Sequence, residues 1–98
     1  MWTYEVQVDV PADSGEAFTA YMVRKHIPEI FATGCFVGIS FERAAATRFR
    51  TCYRAHRREE LDRYLLDHAP AFRSDFLLHF PEGAKVRREL WESLQAWG

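Results

Sequence analysis

The sequence predicts an α+β fold of the ferredoxin-like kind, βαββαβ, in which a four-stranded antiparallel sheet carries both helices on one face. Three observations lead there. Apolar side chains alternate along residues 2–10; helically spaced apolar stripes follow the first and third strands; and Ala44, Ala45 and Ala46 separate two alternating segments that read as a hairpin. The chain has 98 residues, enough for one core and too few for a second domain, so 1–98 is read as a single domain.

Along the first strand Trp2, Tyr4, Val6, Val8 and Val10 share one face, and Thr3, Glu5, Gln7 and Asp9 the other. Pro11 ends it. Asp13 or Ser14 then caps a helix with the stripe Ala17, Phe18, Tyr21 and Met22, expected to run to His26. Alternation returns at Cys35, Val37, Ile39 and Phe41 and again at Phe49, Thr51, Tyr53 and Ala55; opposing Phe41 with Phe49 keeps both apolar sets on the helix side. In that register Cys35 and Cys52 point to opposite faces, so no disulfide is expected between them. Arg58, Glu59 and Glu60 open the second helix, whose inner stripe is Leu61, Tyr64, Leu65 and His68. Pro70 starts a further short helix facing inward through Phe72, Phe76, Leu77 and Phe80, with His79 on its outer side. Pro81 to Gly83 is expected to turn, and Val86, Arg88 and Leu90 to form the last strand before a tail bearing Trp97. Tyr21 to His26-Ile27-Pro28 and Tyr64 to His68-Ala69-Pro70 punctuate the two halves alike.

The stretch HIPEIFATGCF, residues 26–36, gathers reactive side chains around one proline and one glycine. Proline disfavours the helical basin for the residue before it, so Ile27 is expected to be extended and the first helix to stop at His26. Pro28 then suits the start of a new short helix, and Gly34 a left-handed stop after Thr33. A histidine at a helix C-terminus and a glutamate in a first turn both suit the helix dipole, which is the simpler reading of His26 and Glu29. The chemical alternative makes His26 a base oriented by Glu29, with Tyr21 or Cys35 nearby; these four residues are the candidate ligand-binding set. A thiol on an apolar strand face is otherwise an ordinary core residue.

Hydrophobic residues at 48% and aromatic residues at 15% exclude a disordered chain. A net charge of -1 provides no field to draw the protein onto nucleic acid or anionic lipid. The one basic concentration, Arg48, Arg50, Arg54, Arg57 and Arg58, lies beside Glu5 and Asp9 rather than beside aromatics on which bases could stack. Nucleic-acid binding is therefore disfavoured, and cross-strand pairs such as Glu5 with Arg50 or Arg54 are expected. There is no secretory pattern and no apolar run near the ~20 residues that span a bilayer, which points to a cytoplasmic protein without membrane contact. Two cysteines without metal-ligand spacing suggest no metal site, and no cofactor is expected. Trp91 and Phe36 carry the parity of the open sheet face and Trp97 trails beyond it, so a homodimer packed through that face is the expected partner arrangement.

Tyr4, Val6 and Val8; His26, Pro28 and Glu29; Ala32, Thr33, Gly34, Cys35 and Phe36; and Asp67, His68, Ala69 and Pro70 form a pattern that spans nearly the whole chain. It resembles that of a family of short, mostly bacterial proteins catalogued as a domain of unknown function. The resemblance implies a fold of the dimeric alpha-beta barrel kind, whose other relatives include cofactor-free monooxygenases, haem-degrading enzymes and stress-responsive proteins. It implies a pocket between sheet and helices, and it assigns no residue a role. The expected function is a homodimeric module that binds a small molecule or another protein; the alternative is a cofactor-free enzyme of monooxygenase or isomerase type with His26 as base.

Overall fold

Four strands, β1 (Trp2–Asp9), β2 (Gly38–Ala45), β3 (Arg48–Ala55) and β4 (Lys85–Glu92), form one antiparallel sheet in the order β2-β3-β1-β4 in the computed structural model, which describes residues 1–81 and 84–98. The turn expected at Pro81 to Gly83 falls, in Glu82 and Gly83, outside the described residues. The alternating pattern of β1 places it at the centre: Tyr4 and Val8 are buried on the helix side, and β1 pairs with β3 from Trp2↔Ala55 to Asp9↔Arg48 and with β4 from Trp2↔Glu92 to Asp9↔Lys85.

The β2–β3 hairpin keeps the expected faces and shifts the expected register. Phe41 lies opposite Thr51 and Arg43 opposite Phe49, with a bulge between Arg43 and Ala45. A shift of two residues preserves parity, so the Phe41 and Phe49 rings still stack at 5.6 Å on the helix side. β2 starts at Gly38 rather than Cys35. The segment before it is therefore free of strand alternation, and Cys35 and Phe36 are both buried in the core while Val37 is exposed. Phe36 does not lie on the open face. Cys52 does, and both thiols are free.

The expected bend at Pro28 is absent. α1 (Gly15–Tyr21), a π-helical turn (Met22–His26) and α2 (Ile27–Phe31) make one unbroken rod, and Ile27 is helical at φ -66, ψ -47. The π turn is the physical reason. The Ile27 N–H reaches back five residues to the Met22 carbonyl, and this wider loop accommodates a proline that has no N–H and would crowd the carbonyl four residues earlier. The same device recurs where the sequence repeats its punctuation: α3 (Arg58–Arg63), a π turn (Tyr64–His68) closed by the Ala69 N–H on the Tyr64 carbonyl, and α4 (Ala69–His79) carrying Pro70. Because the second rod does not restart at Pro70, its inward stripe is Phe72, Phe76 and Phe80, and Leu77 is exposed. Gly34, at φ 76, makes the expected left-handed stop for the first rod.

The core between rods and sheet has two parts. One gathers Tyr4, Tyr53, Tyr64, Phe36, Leu61 and Cys35; the other gathers Val8, Val10, Phe18, Tyr21, Met22 and Phe49. Val6 packs against both.

Candidate functional site

A cavity of about 50 Å³ lies between the sheet and the rods, where the two parts of the core meet. Its walls are mostly apolar, with Phe72 and Phe76 from α4 and Val6 and Val86 from the sheet. Polar groups converge on it from several elements: His26 from the first π turn, Tyr64 from the second, Tyr4 and Tyr53 from the sheet, Arg73 from α4 and Arg88 from β4.

Because the first rod continues through residue 26, His26 is not a helix-terminal residue in solvent. Its ring sits among Phe72 (5.9 Å between centroids), Phe76 (6.4 Å) and Tyr21 (5.3 Å). Burial holds its pKa down to about 4, outweighing the opposing pull of Asp75 and Glu29, so the imidazole is neutral at pH 7. The Tyr21 hydroxyl donates to Asp75 Oδ2 at 2.7 Å and lies 3.1 Å from His26 Nδ1. With the tyrosine proton committed to the carboxylate, Nδ1 carries the hydrogen donated to the Tyr21 oxygen, and Nε2 bears the lone pair. No described residue bonds Nε2, and no buried side-chain nitrogen or oxygen among the described residues lacks a partner, so Nε2 is open to solvent or a ligand.

Asp75 is the anchor of this group. Tyr21 and Lys25 both donate to its Oδ2, the latter at 3.1 Å, and these bonds hold its pKa below the usual carboxylate range. Burial and the same carboxylate push the Tyr21 phenol up. His79 donates to the Asp75 carbonyl at 2.9 Å and lays its ring on Tyr21 at 4.5 Å while its side chain stays exposed, on the outer side of the helix as expected.

Of the four candidate residues, Tyr21 and His26 come together. Glu29 does not orient His26: it is half-exposed and pairs with Lys25 at 3.1 Å, one helical turn before it. Cys35 does not join them either; it is buried in the tyrosine-rich part, where Arg63 Nη2 lies 3.3 Å from its sulfur. As site residues, Asp75, Lys25, His79 and the two cavity arginines escaped the sequence reading. The Tyr21, Lys25, Glu29 spacing of four was a visible signal of one helix face, but only in a helix that passes Pro28.

The open face of the sheet is laced as expected. Arg50 meets Glu42 at 2.8 Å and Glu5 at 3.7 Å, and Arg48 meets Asp9 at 2.9 Å. Leu90, Trp91, Leu94 and Trp97 are exposed along β4 and the tail that follows it, and neither tryptophan folds back onto its own chain. Among the described residues no helix is long and apolar enough to cross a membrane, and no three His, Cys, Asp or Glu side chains cluster so as to hold a metal ion.

The fold is similar to that of a mutant of SnoaB, a cofactor-independent oxygenase from Streptomyces nogalater, with a TM-score of 0.76, 14% identity, and 97% of this chain and 94% of that chain covered. It is similar also to a dimeric ferredoxin-like protein from an uncultured marine organism (TM-score 0.74, 17% identity, 98% and 97% covered). A third likeness is to an ethyl tert-butyl ether d (EthD) family protein from Bacillus halodurans C-125 (TM-score 0.70, 12% identity, 96% and 100% covered). These likenesses are of fold, and the ferredoxin-like arrangement is the one expected from the sequence. No curated protein matches the chain in sequence. The chain belongs to the family described as Domain of unknown function (DUF4286), whose model matches residues 1–94.

Proposed function

We propose that the protein is a homodimeric small-ligand-binding module, acting as a single domain, whose ligand enters the cavity between sheet and helices. The observation that carries this is the convergence of a fixed imidazole, tyrosine hydroxyls and two guanidiniums on a mostly apolar cavity, the usual make-up of a ligand site. At about 50 Å³ the cavity favours a compact ligand; pockets for drug-sized molecules reach about 300–1,000 Å³. The dimer reading, through the open sheet face, rests on the exposed Trp91 of β4 and on a structural neighbour described as dimeric. The open-face arginines supported nucleic-acid binding least of all, since Arg48 and Arg50 are already paired with carboxylates. Two free thiols fit work in the reducing cytoplasm.

A cofactor-free enzyme with His26 as general base is the second reading, favoured by the unbonded Nε2 and by the fold shared with an oxygenase. The depressed pKa argues against it. A base whose conjugate acid has a pKa of about 4 lies well below the operating pH at which proton transfer is most efficient, so Nε2 suits accepting a hydrogen bond better than removing a proton. The test is a small-fragment screen followed by amide chemical shifts: fragments should move Tyr64, Phe72 and Phe76, and shifts confined to surface residues would remove the reading. Sedimentation velocity tests the assembly; a dimer is expected that Trp91→Asp dissociates, and a wild-type monomer at micromolar concentration would contradict it.

A further inference from the structure

We propose that the ligand of this cavity is a small organic acid, its carboxylate held between Arg73 and Arg88 and its apolar body laid against Phe72 and Phe76. This rests on the ligand-binding reading above. Arg88 lies opposite Val6 on β4, on the helix-facing side of the sheet, in a row whose other members are Val86, Leu90 and, at the strand end, Glu92. Arg73 comes from the opposite wall, on α4, and its Nη2 donates to the Tyr4 hydroxyl at 3.3 Å. Both line the cavity, and both are exposed at its mouth, where a ligand would enter.

The surroundings of these two cations differ from those of the arginines that already hold carboxylates. Among the described residues neither forms an ion pair with a carboxylate, whereas Arg48, Arg50 and Arg58 each do. Both act on the Tyr64 hydroxyl, opposing the rise in pKa that burial gives it, so their fields overlap at one point of the cavity wall. An inward-pointing charge on an edge strand discourages pairing with another sheet, and that would account for Arg88 alone. It does not account for a second guanidinium facing the same cavity from a helix. Two like charges beside a space of low dielectric repel, and an anion between them turns that repulsion into two charge-assisted hydrogen bonds. The planar fork of arginine suits a carboxylate in particular.

Propionate and propionamide share a shape, differ in charge and are compact enough for a cavity of about 50 Å³, which makes them the probes. Each is titrated into the isotope-labelled full chain at constant ionic strength, and the amide shifts of Phe72, Arg73 and Arg88 are followed. Propionate should bind about tenfold more tightly, the ratio that one favourable charged contact supplies. Arg73→Gln and Arg88→Gln, at exposed positions and with native spectra, should each bring the two probes close to parity. Equal affinity in the wild type, or a preference that survives in both variants, overturns the anion while the ligand-binding reading stands. Absence of any shift at cavity residues with either probe overturns both.

Discussion

One part of the core is richest in phenylalanine, the other in tyrosine, and the contrast separates packing from chemistry. In the first, Phe18 sits 5.0 Å from Phe49, 5.6 Å from Phe80 and 6.1 Å from both Phe41 and Phe76, a cluster of rings with no polar atom to satisfy. In the second, Tyr4, Tyr53 and Tyr64 pack a little more loosely, 5.7 Å to 6.4 Å between centroids, and each brings a hydroxyl that needs a partner. Burial pushes the Tyr53 and Tyr64 phenols upward, so both stay protonated and present donors. Both parts line the cavity, but the tyrosines supply its hydroxyls. The cavity, the arginines and His26 gather where the phenylalanine packing gives way to tyrosine.

The largest effect expected from this contrast is at the phenylalanine end. Phe18→Ala, at a side chain 1% exposed, should cost about 3–5 kcal/mol of unfolding free energy in urea. A loss under about 1 kcal/mol would mean that the ring cluster is not the packing centre. The next effect is at the boundary. With the His26 pKa held at about 4 in the fold against 6.5 in the unfolded chain, the unfolded chain takes up a proton between these values and the fold does not. Stability is then full above pH 6.5 and falls as the pH drops toward 4, by about 2–3 kcal/mol. His26→Gln should flatten that window, and an unchanged slope would show that other groups produce it. Smaller again, Tyr21→Phe should cost about 1–2 kcal/mol, because it removes one donor to Asp75 and the acceptor of His26 while keeping the ring. Asp75→Asn combined with Tyr21→Phe should cost less than the sum of the two, since they share one bond.

The order of strands and rods was legible in the sequence, because alternation along β1 and β3 and the stripes at Phe18 and Leu61 are local signals with a fixed period. The passage through Pro28 was not. The rule for the residue before a proline is local, whereas a π turn depends on which carbonyl the Ile27 N–H reaches, and packing of both rods against the sheet decides that. Once the rod is straight, His26 turns inward and its helix-end role disappears. Phe36 was misplaced because parity was counted from Cys35, three residues before β2 begins. Tyr21 and His26 could be singled out by their residue types, but Asp75 could not, since its bond to Tyr21 spans 54 positions. Arg88 looked like one more strand residue, and its meaning depends on Arg73 across the cavity.

The state of the His26 ring tests the account most directly. Long-range proton–nitrogen correlation spectra of the labelled protein, recorded from pH 8 down to about pH 4, report both its charge and its tautomer. The structure predicts a neutral ring with the hydrogen on Nδ1 throughout that range until protonation near its lower end. A ring that titrates near its ordinary value of about 6.5, or that carries its hydrogen on Nε2, would contradict a buried imidazole offering a free lone pair to the cavity.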